Sequence, residues 1–204
     1  LFSVIFNSLS IGVVSTFFIV FVSLLLLSYT RFSNSKTKKF LERVIYFGYS
    51  IPSVMLALLI IKGIELLNIF SPFVINTGFF FIILAYFIKF ISIGYSSLGN
   101  VYQKSGDKYS ENSFLFGNSR LKTIFKLDIF LFKREIFFTC LFVFIDVIKE
   151  LTLVMLLRGF SFFTLSTIVY NYANDEMIAN SSIFSLIIIG ISSLTIILVK
   201  GRKV

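Results

Sequence analysis

Residues 1–30 carry no charged side chain, and the apolar run stops only at RFSNSKTKK. A helix needs about 20 mostly apolar residues to cross a bilayer, so this run predicts a first membrane helix. Residues 44–61 are also free of charge and predict a second, prolonged by a turn at either end. NIFSPFVINTG (68–78) holds Ser-Pro and Asn-Thr-Gly breakers and reads as a turn. A third helix is expected over about 79–98, interrupted only by Lys89, and a fourth over about 136–157. A fifth is expected over about 177–199, charge-free between Glu176 and Lys200. The pattern predicts an all-α integral membrane protein: one transmembrane domain spanning 1–204, with about five crossings and no internal repeat or linker.

One stretch, GFSFFTLSTIVYNYAN (159–174), is apolar but short for a span, and charge decides how to read it. Fifteen of the 19 Lys and Arg fall in 31–43, 104–134 and 200–203, all between or after apolar runs. Five crossings put all three clusters on one side, as the positive-inside rule requires. A sixth crossing at 159–174 would strand the basic tail opposite the others. The stretch is therefore expected to be a short helix at the outer surface, with the N-terminus outside and the C-terminus cytoplasmic. Composition agrees with lipid as the surroundings: 57% hydrophobic and 14% charged, against about 25% charged in soluble domains. The net charge of +9 is thereby assigned to topology rather than to nucleic acid. The chain has no His and a single Cys140. His-based metal sites, Ser-His or Cys-His catalysis and an intrachain disulfide are excluded within it. It opens with Leu rather than Met, and part of a longer polypeptide is expected.

The fourth apolar run holds three charges, Asp146, Lys149 and Glu150, within VFIDVIKELTLVMLLRGF (143–160). On insertion scales each costs roughly 2.5–3.5 kcal/mol at a helix centre. Asp146 and Lys149 are spaced to neutralise each other on one helix face, which leaves Glu150 over. Lys89 is the only other charge at comparable depth and is expected to pair with Asp146 or Glu150. Such a cluster either locks two helices together or lines a cation pathway, and a pair that breaks during switching does both. A second group, Tyr170, Tyr172, Asp175 and Glu176, lies on the outer side. Its oxygens suit a hard cation, and equally describe an interfacial tyrosine belt with solvated acids. Asn7, Ser8, Ser10, Ser50 and Ser53 are expected to pack helices, and Lys62 with Glu65 to sit at the outer interface.

Between the third and fourth helices lies the longest inside segment, roughly 99–135. Phe114, Leu115, Leu121, Ile124 and Phe125 recur at helical spacing after Glu111, Gly117 interrupts them, and Arg120, Lys122 and Lys126 occupy other faces. This predicts two short amphipathic helices meeting at a glycine, held by anionic lipid or docked to a cytoplasmic partner. The order Glu111-Asn112-Ser113, three residues, Gly117, nine residues, Leu127-Asp128-Ile129-Phe130 resembles the EAA loop of ABC-transporter permeases. Asn112 and Ser113 stand for its alanines and Phe130 for its proline. GYSIPSVMLALLI (48–60) and ILAYFIKF (83–90) resemble further segments of that family. KELTLVMLLRGFSFFTLSTIVYNYANDEM (149–177) resembles a stretch of its ferric-iron members, with Thr152 and Gly159 where prolines are usual.

The resemblance implies a type I ABC importer permease fold and the C-terminal half of a two-half permease in the bacterial inner membrane. It implies a loop (Glu111, Asn112, Ser113, Gly117, Leu127, Ile129) that docks on a cytoplasmic ATP-binding subunit, present in two copies. It further implies a second permease half, fused or separate, and a soluble binding protein that delivers ferric iron. The chain itself has no G-x-x-x-x-G-K-[ST]. No cofactor is expected on it, ATP and Mg belonging to the partner, and no enzyme activity of its own. Related permeases carry thiamine, polyamines or phosphonates, so the cargo stays open. A secondary transporter or channel is the rival, for which inverted repeats or helices broken at mid-depth are the expected mark; none is evident in the sequence. A membrane-embedded enzyme lacks its usual residues here.

Overall fold

The computed structural model describes residues 2–31, 35–70, 77–105, 120–123 and 128–201, and within them the chain is all-helical. The helices are α1 (Phe2–Arg31), α2 (Ser35–Ser50), α3 (Ser53–Phe70), α4 (Phe79–Ser105), α5 (Arg120–Thr123), α6 (Ile129–Leu131), α7 (Lys133–Lys149), α8 (Thr152–Leu157), α9 (Leu165–Asn174) and α10 (Ile178–Gly201). Four of them contain segments long and apolar enough to cross a membrane: Phe2–Thr30, Ser53–Phe70, Phe79–Tyr102 and Ile178–Ile197.

Two of the five predicted spans are corrected. The second does not run unbroken over 44–61: α2 ends at Ser50 and α3 starts at Ser53. Pro52 supplies the reason, since it has no N–H to donate and pushes the preceding residue out of the helical region. The first four α2 residues to carry charge, Lys36, Lys38, Lys39 and Glu42, lie before the apolar stretch, so α2 is amphipathic rather than a span. The predicted fourth span, 136–157, is divided as well. α7 ends at Lys149, Glu150 is extended with φ −69° and ψ 120°, and the six-residue α8 follows. The first, third and fifth predicted helices are present, the third extended to Ser105. The stretch expected to lie at the outer surface contains the ten-residue α9 after a non-helical segment.

α1 and α4 form the centre. They cross where Gly94 faces Ile19 and Ser23; a Cβ on Gly94 would stand 2.6 Å from the Ser23 hydroxyl. Small residues let helix backbones approach this closely in the absence of a hydrophobic drive between helices in lipid. α7 packs on both, with Phe144 and Ile148 against Gly12 of α1. α2 lies along α4, and a Cβ at Gly48 would collide with the carbonyl of Ile88. Ile19, Ile82, Tyr86, Leu98, Val143 and Leu153 are buried at these crossings.

The bundle has two distinguishable ends. At one, the end of α1, the first half of α2 and the last turns of α4 meet. Thr30 Oγ1 and Tyr95 OH are 2.9 Å apart, and Tyr95 OH donates to Glu42 Oε1 at 3.3 Å. The residues leading into α7 join this end through Phe132, whose ring lies 4.7 Å from that of Tyr102. At the other end, Asn7 Nδ2 donates to the Phe163 carbonyl at 3.1 Å, and the Leu165 N–H donates to Ser8 Oγ at 2.7 Å. These bonds fix the entry to α9 against the start of α1, as the packing role expected of Asn7 and Ser8 requires. Ser181 Oγ, donating to the Val169 carbonyl at 3.0 Å, ties the start of α10 to α9.

Candidate functional site

The two interruptions lie beside each other against the middle of α4. Ile51 and Pro52 of one, and Glu150 of the other, line a single open cavity of about 470 Å³ with Lys89, Asp146 and Lys149. Lys89 stands ten residues into α4, about 15 Å along its axis at 1.5 Å per residue, in the middle of the Phe79–Tyr102 segment. Of its two expected partners it takes Glu150: Nζ to Oε2 is 2.7 Å, with side chains 14% and 12% exposed. Lys89 also donates to Ser53 Oγ, and its ammonium lies 5.4 Å from the centre of the Phe90 ring. One lysine therefore touches the first residue of α3 and the residue that divides α7 from α8.

Glu150 is the most connected residue of the site. Its side chain accepts from the Leu153 N–H in the first turn of α8 at 3.4 Å. Its carbonyl accepts from Ser166 Oγ of α9 at 3.1 Å and from Tyr86 OH of α4 at 3.5 Å. A carbonyl freed by a helix break in apolar surroundings must find a donor, and these two hydroxyls supply it. Tyr86 and Ser166 were not singled out in the sequence. Tyr86 sits one turn before Lys89 on the same face of α4, which is the only local signal it gave; Ser166 gave none.

Asp146 and Lys149 share the cavity but form no ion pair within 4.0 Å among the described residues. The mutual neutralisation expected from their spacing is thus not a formed contact. Lys149 is exposed and Asp146 half-buried. The charge-free run 44–61 and the apolar run 136–157 are both interrupted, and both interruptions lie level with Lys89 of α4.

The loop residues fare differently. Glu111, Asn112, Ser113, Gly117 and Leu127 lie outside the described residues, as does most of the predicted pair of amphipathic helices. Ile129 is described and starts the short turn α6. Phe130, one residue on, is exposed, with the Lys133 ammonium 5.4 Å from its ring centre. In the group expected on the outer side, Tyr170 is exposed and Tyr172 stacks on Phe184 with ring centres 5.7 Å apart. Asp175 and Glu176 are exposed at the turn that ends α9, Glu176 with φ 59°. No group of three or more Asp, Glu, His or Cys able to hold a metal is found among the described residues. Lys62 and Glu65 form the expected pair at 2.6 Å on the exposed face of α3. A scan against protein-family models finds no match to this chain, and neither does a search of curated proteins.

Proposed function

We propose that the chain is the membrane-spanning half of an ATP-driven importer, working with a separate cytoplasmic ATPase in two copies. Its cargo in this reading is a small solute handed over by a soluble binding protein, ferric iron being the first candidate. The observation that carries the reading is the segment between α4 and α7. It bears the Glu111…Gly117…Ile129 pattern, and its exit is fastened to α4 where Phe132 packs on Tyr102. A push on that segment bears directly on α4, which carries Lys89, and on α7, which ends at Glu150. Docking of such a loop in a partner's groove uses apolar anchors with a basic rim. Glu111 caps or salt-bridges the docked helix, and Gly117 permits the change of direction. The membrane is the bacterial inner membrane, with the Lys36–Arg43 end of the bundle cytoplasmic. Thiamine, polyamines and phosphonates are the alternative cargoes. The test is co-purification of the intact permease with its ATP-binding subunit. Glu111→Ala and Gly117→Asp are expected to lower recovery of the subunit at least tenfold while leaving permease yield unchanged. Undiminished recovery in both variants would remove the loop from the coupling.

One observation favours a second reading. Interrupted helices flanking an ion pair at mid-depth are a mark of secondary carriers, and this chain has two such interruptions. A carrier would move solute in liposomes without ATP and without the partner subunit.

A further inference from the structure

We infer that α3 and α8 form one hinged unit, clasped to the rest of the bundle by Lys89. The two helices follow the two interruptions, and each finds its most extensive neighbour in the other. The helices that precede the interruptions pack elsewhere: α2 along α4, and α7 on α1 and α4. The chain is thus divided, level with Lys89, into a set formed by α1, α2, α4 and α7, and a pair whose members enter through adjacent breaks and rest on α4. Breaks of this kind are where backbone rotation is absorbed in hinge motions. Kinked helices owe their bends to identifiable local causes, and here one is Pro52 and the other the hydrogen bonds around Glu150.

The clasp is specific in its geometry. Lys89 belongs to the first set and holds Ser53, the first residue of α3. It also holds the Glu150 carboxylate, whose other oxygen accepts from the Leu153 N–H of α8. The Glu150 carbonyl is held by Tyr86 and Ser166, separately from its side chain, which places the pivot on that side after Glu150, at Leu151. Lys89 and Glu150 line an open cavity. Water or a charged solute therefore reaches the pair; a solute that takes Lys89 loosens both hinges at once, and one that takes Glu150 loosens the α8 side. Beyond α8, Gly159 has open space around it, and the segment is next held at Phe162, whose ring meets that of Phe79 of α4, and then at Phe163 and Leu165 by α1. A swing would be taken up within residues 159–161.

The purpose of the motion rests on the transport reading, but the motion itself is read as distance and is tested without transport. Spin labels are placed in the intact permease in lipid nanodiscs, with Cys140→Ala as background. One pair spans the first break, Phe47→Cys with Leu66→Cys; the other lies within the unit, Leu59→Cys with Met155→Cys. All four positions are exposed. In Lys89→Met and in Lys89→Met/Glu150→Gln, the first distance is expected to shift or broaden by about 5 Å, one helical turn. The second is expected to stay as in the parent. The double change removes both charges of the pair together, so it decides the matter even where the single change fails to fold. An unaltered first distance in the double variant, or a second distance that changes along with the first, would overturn the hinged unit.

Discussion

Lys89 and Glu150 are charges in surroundings that penalise charge, and each is tolerated because the other is within 2.7 Å. Removing one partner of a buried pair is costly, about 3–5 kcal/mol, because the survivor stays desolvated. With both side chains at 12–14% exposure beside an open cavity, Lys89→Met is expected at the lower end, about 3 kcal/mol. Lys89→Met/Glu150→Gln is expected to lose less than half of that. Denaturant unfolding in micelles measures both, and a double variant as unstable as the single one would show that pairing is not what stabilises these residues. That a pair exists was legible in the sequence, since Lys89 is the only charge as deep as 146–150. That it uses Glu150 rather than Asp146 was not. The choice depends on the chain leaving the helix at Glu150, which brings its side chain to α4 while Asp146, still helical, keeps to the cavity wall.

Among the elements, the two interruptions were unequally visible. The first has Pro52, whose chemistry is local, although the charge-free run around it suggested continuity. The second has no proline: Thr152 stands in its place, and LTLVMLL is as good a helix former as what precedes it. It is held open from outside by Tyr86, Ser166 and Lys89, residues distant in sequence, which no reading of the local pattern reaches. Tertiary hydrogen bonds override propensity here, as they do at the entry to α9. There, Ser8 of α1 accepts from the buried Leu165 N–H. Ser8→Ala leaves that donor unsatisfied, at a cost of about 1–3 kcal/mol. Hydrogen exchange is the readout: the Leu165 amide is expected to lose at least tenfold protection, while amides in the middle of α4 keep theirs. Unchanged protection at Leu165 would mean that α9 is held by packing alone.

At the scale of the molecule, the lengths of the apolar runs gave the helical class and the bounds of α1 and α10, because lipid demands long apolar helices and little else. The grouping of charge argued against a further span at 159–174, where the structure has the short helix α9. The pairing of α3 with α8 was invisible, since it needs both breaks. α3 and α10 leave most of their apolar surface exposed, in keeping with lipid around them. On the proposed reading this bundle is driven from outside itself, through the segment between α4 and α7. The sharpest test is ATPase activity of the reconstituted permease with the proposed ATP-binding subunit and binding protein. Stimulation by the Fe(III)-loaded binding protein, abolished by Glu111→Ala and by Gly117→Asp, is the predicted result. Solute uptake that proceeds without ATP and ignores both changes would contradict it.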